Sequence, residues 1–124
     1  MNILALDYGT KNIGLAKWNS NVSVILPIGV VSTIEELVSL VKEQNIDKIV
    51  IGLPLNLDGG QDNPNVKRIK EFGKSLYERC QKEVEYFDER FSSQQADRME
   101  AGVSRDERSA IVILQSYLDN KKLS

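Results

Sequence analysis

Two runs of apolar residues predict strands that are buried on both faces of a sheet. The first is Ile3–Leu6, near the start of the chain, and the second lies within Lys48–Gly52. After the first run, Gly9 and Gly14 flank a short turn, and the segment Ile13–Ala16 returns to apolar residues. The chain is therefore predicted to begin with a β-hairpin whose first strand runs through the core.

The segment between these two strands predicts another strand and a helix. The strand covers Val22–Val31 and lies at or near a sheet edge, because Pro27 has no amide hydrogen to donate to a neighbour. A capping-box sequence at Ser32–Glu36 starts a helix that runs to about Gln44, with apolar residues at helical spacing. The strand at Lys48–Gly52 follows, and this succession of strand, helix and strand predicts a crossover with parallel pairing.

The second half of the chain adds three helices and a fifth strand. A helix is predicted from Pro64 to about Gln81, a strand over Val84–Phe87 and a short helix over Ser92–Glu100. A second capping box begins at Ser104 and starts the last helix, whose segment Ala110–Leu114 is apolar all round. We therefore expect an α/β fold, a mixed five-stranded sheet with helices on both faces, in a single domain of residues 1–124.

Acidic residues stand where the predicted strands and the last helix leave the core. Asp7 follows the first apolar run, Asp88 and Glu89 follow the fifth strand, and Asp106 begins the last helix. Carboxylates so far apart in sequence converge only if their strands are neighbours, which the crossover allows. Two or three around one point would hold two divalent cations about 3.5–4 Å apart, an arrangement used for phosphodiester cleavage. The structural alternatives are an Asx-turn for Asp7 and a helix-dipole interaction for Asp106.

The composition limits the chemistry that these acids could share. The 124 residues include no histidine and one cysteine, Cys80, which excludes a histidine base, a structural zinc site and an internal disulfide. The formal net charge of −2 argues against a simple basic surface for nucleic acid, but bound divalent cations would reverse the local sign. Without a bilayer-length apolar run or a signal-peptide pattern, we expect a cytoplasmic protein with no membrane partner.

Polar and basic residues near these acids are candidates for binding a phosphate-bearing substrate. Thr10 and Lys11 lie in the hairpin turn, and Asn56 lies in a glycine-rich loop just past a buried strand, where α/β sheets bind ligands. Arg90 closes the acidic segment after the fifth strand. On the predicted helix Pro64–Gln81, three lysines share one face: Lys67, Lys70 and Lys74. Such a face is either merely solvated or in contact with phosphate backbone.

Four groups of residues, in order and spacing, resemble the motifs of the YqgF/RuvX family and together cover essentially the whole chain. They are Asp7–Lys11 with Ile13–Ala16, Gly52–Pro54 with Asp58–Gly59, Asp88–Arg90, and Ile113–Leu118. The resemblance implies an RNase H-like fold and a nuclease of precursor 16S ribosomal RNA that acts in 5′-end maturation, or a Holliday-junction resolvase-like DNA nuclease. It also implies that Asp7, Glu89 and Asp106 are catalytic acids that bind Mg²⁺ or Mn²⁺ for a two-metal reaction.

One departure from the family and two other functions bear on this expectation. Family members usually have a longer, basic segment before the last helix, whereas here residues 101–105 run almost directly into Asp106, which predicts weaker or narrower substrate binding. The hairpin at Asp7–Lys11 is also similar to the phosphate-binding hairpin of actin-like kinases and ATPases. Those proteins share this core and enclose a nucleotide between two domains of this kind. The other alternative is a ribosome-assembly or transcription-associated protein that binds nucleic acid without cutting it. In the nuclease interpretation the partner is nucleic acid, and the protein is a monomer or weak homodimer.

Overall fold

A computed structural model describes residues 1–9, 11–53, 64–88 and 103–121 of the protein. Within these ranges it has five strands and three helices: β1 (Asn2–Tyr8), β2 (Ile13–Asn19), β3 (Ile25–Val31), α1 (Ile34–Glu43), β4 (Lys48–Leu53), α2 (Pro64–Cys80), β5 (Glu83–Asp88) and α3 (Arg105–Lys121). The strands form one sheet in the order β3-β2-β1-β4-β5. This mixed five-stranded sheet confirms the predicted architecture. The predicted short helix over residues 92–100 lies outside the described residues.

The pairing of the strands corrects one expectation from the sequence. The crossover through α1 does not join neighbouring strands, because β4 pairs in parallel with β1, while β3 pairs antiparallel with β2 at the edge of the sheet. The same strand order also separates β1 from β5, because β4 lies between them. Two strand spacings amount to roughly 10 Å. An acid at the end of β5 therefore has to reach across β4 to approach the end of β1.

The helices begin where the sequence predicts, because side chains satisfy their first amide groups. At α1, the hydroxyl of Thr33 accepts a hydrogen bond from the amide of Glu36 at 3.2 Å, and the Glu36 carboxylate accepts one from the amide of Ser32 at 3.2 Å. Pro64 is the first residue of α2, a position where its missing amide hydrogen costs nothing. None of the helices in the described ranges is long and apolar enough to cross a membrane.

The sheet has a separate hydrophobic layer on each face, and β1 contributes to both. On one face Leu4 and Leu6 pack in a layer with buried residues of α1 and α2. On the other face Ile3 and Ala5 pack against α3, together with the last helix's buried side chains Ala110, Ile113, Leu114, Tyr117 and Leu118. Since side chains alternate along a strand, the residue that follows on the α3 face of β1 is Asp7.

Candidate active site

Asp7 lies at the carboxyl end of β1, where the α3 layer meets solvent. Its side chain is half-buried, and its strand neighbour on β2 is Gly14. The hairpin brings these two positions side by side through an antiparallel register that runs from Asn2 with Asn19 to Tyr8 with Ile13. A carboxylate at this position is partly removed from water but remains partly exposed at the carboxyl end of the strand.

Gly14 lets the first turn of α3 lie directly on the hairpin. A Cβ atom at this position would overlap the backbone carbonyl of Asp106, so a residue with a side chain cannot occupy it without moving the helix. Because Gly14 is the neighbour of Asp7, the close approach of the helix places Asp106 next to Asp7. The hairpin and α3 thus meet through backbone contact where two acidic residues come together.

The start of α3 is also held from its other side. Ser104 and Glu107 form the predicted capping box, with the Glu107 amide donating to the Ser104 hydroxyl at 3.1 Å and the Ser104 amide donating to Glu107 Oε1 at 3.2 Å. The second oxygen of the same carboxylate, Oε2, accepts a hydrogen bond from the amide of Gly29 on β3 at 2.9 Å. Glu107 therefore fixes the helix to β3, and Asp106 faces the hairpin.

The electrostatics of this corner are unfavourable for an ionised Asp7. Burial raises the pKa of its carboxyl, and the nearby negative charge of Asp106 raises it further. A hydrogen bond from the Ser109 hydroxyl and the positive charge of Arg105 lower the pKa, but the net shift is upward. In the absence of a cation, two carboxylates thus repel each other in a partly desolvated place, which is the condition under which a bound divalent cation relieves the repulsion.

The oxygen donors of this corner fit a hard divalent cation. Carboxylates are the ligands that Mg²⁺ and Mn²⁺ take in proteins, and Asp7 and Asp106 supply two of them. Among the described residues no group of three acidic, histidine or cysteine side chains lies close enough to hold a metal ion. The predicted third acid, Glu89, lies outside the described residues, so the structure brings together two of the three predicted ligands.

Asp88, the last residue of β5, does not share the face of Asp7. Its pairing partner is Leu53 on β4, and its strand neighbours Val84 and Tyr86 pack in the layer of α1 and α2. Alternation along β5 therefore places Asp88 on that side of the sheet, while Phe87 belongs to the α3 layer.

The remaining predicted site residues fall into two groups. Lys11 is exposed in the turn between β1 and β2, and the three lysines of α2 are exposed on a flank of that helix: Lys67, Lys70 and Lys74. Three others lie outside the described residues: Thr10, Asn56 and Arg90. Substrate contact by any of these residues stays a prediction.

Two residues that the sequence analysis did not select belong to this corner. Ser109 lies beside Asp7 and lowers the pKa of its carboxyl, and Gly14 admits the helix that carries Asp106. Both had a signal in the sequence. Ser109 lies three positions after Asp106 and therefore on the same side of a helix, and a hairpin centred on residues 9–12 pairs Gly14 with Asp7.

Comparison with known proteins agrees with this architecture. A family model described as "RuvX: Holliday junction resolvase" matches residues 1–120. Among curated proteins, a "Putative pre-16S rRNA nuclease" of Bacillus cytotoxicus is 38% identical over an alignment that covers 98% of this chain and 100% of that protein. A protein of the same description from Limosilactobacillus fermentum is 36% identical, with 96% of this chain and 94% of that protein covered. The chain belongs to the RuvX family.

Solved structures show that this RuvX protein has the RNase H-like fold of the RuvC resolvases. RuvC of T. thermophilus, in complex with a Holliday junction substrate, matches with a TM-score of 0.71 at 9% identity, covering 100% of this chain and 96% of that one. The Holliday junction resolvase of fowlpox virus matches with a TM-score of 0.60 at 15% identity, covering 97% and 99%. The predicted family and fold are both confirmed, and the family assignment makes the chain a nuclease, a hydrolase of phosphodiester bonds that binds nucleic acid.

The length of the relatives bears on the predicted short segment before α3. The alignment with the Bacillus cytotoxicus protein spans 138 positions, although this chain has 124 residues. The relative therefore has residues for which this chain has no counterpart, as a shortened segment requires.

Proposed function

We propose that this RuvX protein is a nuclease that depends on Mg²⁺ or Mn²⁺ and acts on precursor ribosomal RNA in 5′-end maturation. Asp7 and Asp106 hold the metal, and Glu89 is the third acidic ligand. The observation that carries the proposal is the approach of Asp106 to Asp7 across Gly14, because two carboxylates in a partly buried corner raise a pKa and gain from a shared cation. The substrate class rests on the names of the relatives.

A divalent cation bound here would neutralise charge that develops on a phosphate and make water available as a nucleophile at neutral pH. The chain has no histidine that could act as a base. Its own residues fix the positions of the two carboxylates. The pairing of β1 with β2 holds Asp7 beside Gly14, with the Ser109 hydroxyl nearby, and the capping box with Glu107 holds the turn that carries Asp106. These contacts restrict the ligands before any metal arrives.

A cleavage assay with matched variants tests this function. The substrate is a 5′-labelled RNA that spans the 5′ end of mature 16S ribosomal RNA with its precursor leader, incubated with Mn²⁺, with Mg²⁺ or with a chelator. We expect cutting only with a metal, and loss of cutting in Asp7→Asn and Asp106→Asn. Asp119→Asn is the matched control, because it makes the same change on the exposed last turns of α3. Full activity in pure Asp7→Asn protein would overturn the catalytic assignment.

A second candidate substrate is a four-way DNA junction. It is favoured by the description of the family model and by the match to RuvC and the fowlpox resolvase. The same assay decides between the two, with a labelled synthetic Holliday junction as substrate. Symmetric nicking of the junction, with the precursor RNA left intact, would replace the ribosomal function with the resolvase function. Binding of either substrate without cutting under all metal conditions would favour the non-cutting alternative.

A further inference from the structure

A cavity of about 440 Å³ lies at the end of β1, on the face of the sheet opposite Asp7. It is bounded by the turn between β1 and β2, the start of α1 and one flank of α2. Tyr8, which directly follows Asp7, lines the cavity, and its side chain packs in the layer of α1 and α2. The cavity and the carboxylate pair therefore share one strand end but lie on its two sides.

The charged groups of this cavity favour an anion. Lys11 and Arg68 line it from the turn and from α2, and neither has an ion-pair partner among the described residues. Arg79 also lines it and forms a salt bridge with Glu35 at 3.2 Å. Against these three cations, the acidic side chain among the described residues that line the cavity is Glu71. The balance is positive on a chain whose net charge is −2.

Two aromatic rings give the same cavity an apolar surface. The rings of Tyr8 and Phe72 are 4.5 Å apart between centroids and tilted by 47°. Both side chains are half-buried, so part of each ring remains accessible. An aromatic surface beside cations is the combination by which proteins bind single-stranded nucleic acid, because bases stack on the rings while the cations meet the phosphates.

We propose that this cavity binds one nucleotide of a single-stranded segment of the substrate, with its base against Tyr8 and Phe72 and its phosphate beside Lys11 and Arg68. The proposal rests on the nuclease function proposed above. A strand seated in the cavity reaches the carboxylate pair by passing over the carboxyl end of β1, because the consecutive residues Asp7 and Tyr8 of that strand face the two sites. The cavity thus selects single-stranded over fully paired substrate near the point of cleavage.

The structure separates this surface from the predicted lysine face of α2. Arg68, Ser75 and Arg79 lie on the flank of α2 that lines the cavity. Lys74 lines a different groove, formed with Tyr77 and with Tyr86 of β5. The two flanks can be tested independently, because a substitution on one does not touch the other.

Binding of a fluorescein-labelled twelve-nucleotide oligouridine RNA, followed by anisotropy in a chelator, tests the cavity without requiring cleavage. We expect Arg68→Gln to weaken binding about threefold to tenfold at 0.1 M salt and to lower the slope of log affinity against log salt by about 0.7. Phe72→Leu should weaken binding about tenfold with an unchanged slope, because a base loses its stacking surface and no cation is removed. Lys42→Gln, an equal charge change at the far end of α1, should leave both quantities unchanged.

The controls keep folding and cleavage apart from binding. Arg68 is exposed, so its variant should melt like the wild type, whereas Phe72 packs against the core and its melting curve must be recorded. Asp7→Asn should bind the RNA at least as well as the wild type while failing to cut. Wild-type affinity and salt slope in Arg68→Gln would overturn the proposal, and so would loss of binding in Lys67→Gln alone. Tight binding of adenosine diphosphate with no effect of Arg68→Gln on RNA would also overturn it.

Discussion

Helix α3 has a cluster of charged residues at each end, and the two clusters are organised in opposite ways. At its first turn, Asp106 lies beside Asp7, so that like charges meet at the carboxyl end of β1. Toward its last turn, Tyr117 and Lys121 lie beside the start of β4 and β5, where Lys48 contacts Glu83 at 3.2 Å and Glu85 at 2.7 Å. One end of α3 therefore brings like charges together, and the other end lies beside a cluster of opposite charges that attract each other.

The attractive cluster is fully paired. Tyr117 donates a hydrogen bond to Glu85 at 3.3 Å, Lys121 lies 3.5 Å from the same carboxylate, and the Lys48 ammonium lies 5.3 Å from the centre of the Tyr117 ring. Burial raises the pKa of Glu85, but the contacts with Lys48, Lys121 and Tyr117 together outweigh burial and hold that pKa below its usual value. Burial likewise opposes the charge of Lys48, yet its partners raise its pKa.

The difference between the two ends shows which charges serve stability. The acid at the Lys48 end has cations within ion-pair distance, whereas Asp7 is more deeply buried and has an acid as its strongest charged neighbour. A protein keeps such a repulsive arrangement where a ligand of opposite charge binds. We therefore expect the Asp7 end to gain stability from a divalent cation and the Lys48 end to be insensitive to it.

The largest effect is expected from Gly14→Ala, which disrupts the contact between the hairpin and the first turn of α3, where Asp7 and Asp106 repel each other. The new methyl group overlaps the Asp106 carbonyl and displaces the start of α3. Overpacking of this kind costs about 1–3 kcal/mol, and displacement of one ligand should lower cleavage about 100-fold. Urea unfolding and the RNA cleavage assay measure the two effects.

Gly73→Ala is the matched control for that change. A Cβ atom at Gly73 of α2 would overlap the Tyr86 hydroxyl, so this variant overpacks the layer on the face of the sheet opposite Asp7. The control should lose stability and retain cleavage. Equal activity in Gly14→Ala and the wild type would show that the approach of α3 does not set the site.

The next largest effect is expected from Glu85→Gln, which removes the carboxylate that pairs with Lys48 and Lys121 at the other end of α3. Because the pKa of Glu85 is lowered in the folded protein, its contribution is present above the ordinary value of about 4.5 and is lost as the pH falls through the lowered value. The variant should be about 1–2 kcal/mol less stable at pH 7, and as stable as the wild type in acid. Unfolding curves from pH 3 to 7 measure this, with the exposed Glu83→Gln as a control that changes little.

A smaller effect of opposite sign is expected from Asp7→Asn without metal. The pKa of Asp7 is raised by burial and by Asp106, so the stability of the wild type falls as the pH rises from the ordinary value of 3.8 through the raised one. The variant lacks this titration and should be roughly 0.5–2 kcal/mol more stable at pH 7. Thermal unfolding in a chelator measures the difference. A variant that is less stable than the wild type at neutral pH would contradict the repulsive assignment.

The smallest effect is expected from Asp106→Asn, and it separates the two roles of that residue. If Asp106 is a metal ligand beside Asp7, the substitution should stabilise the metal-free protein slightly and reduce the rise in melting temperature on adding Mn²⁺. If Asp106 only interacts with the helix dipole, the substitution should lower the free energy of unfolding by about 0.3–1 kcal/mol and leave the Mn²⁺ response unchanged. Melting curves with and without Mn²⁺ distinguish these outcomes, and Asp119→Asn again serves as control.

The elements of this fold follow from local sequence, whereas their neighbours in the sheet do not. The apolar run Ile3–Leu6 and the caps at Thr33 and Ser104 are local signals, and the structure confirms them. The insertion of β4 between β1 and β5 was not predicted, because apolar patterns say which strands are buried and not which strands pair.

The candidate site was predictable to the same extent. Asp7 and Asp106 were selected because acids at the ends of buried elements are conspicuous, and the structure brings them together. Ser109 and Gly14 were missed, because their positions relative to Asp106 and Asp7 point to the site only once the hairpin register and the approach of α3 are known. The cavity beside Tyr8 is formed by three elements that are distant in sequence, so only their packing reveals it.

The contact of α3 with Gly14 also determines when the site exists. Asp7 and Asp106 are 99 positions apart in the chain, and they meet only because the helix docks on the hairpin. Folded proteins open locally in cooperative units, and a docked helix is such a unit. Every opening of α3 separates the two carboxylates while leaving the hairpin paired. The fraction of molecules able to cut is therefore the fraction in which α3 is closed, and amide exchange in α3 and nuclease activity should respond together to mild denaturant.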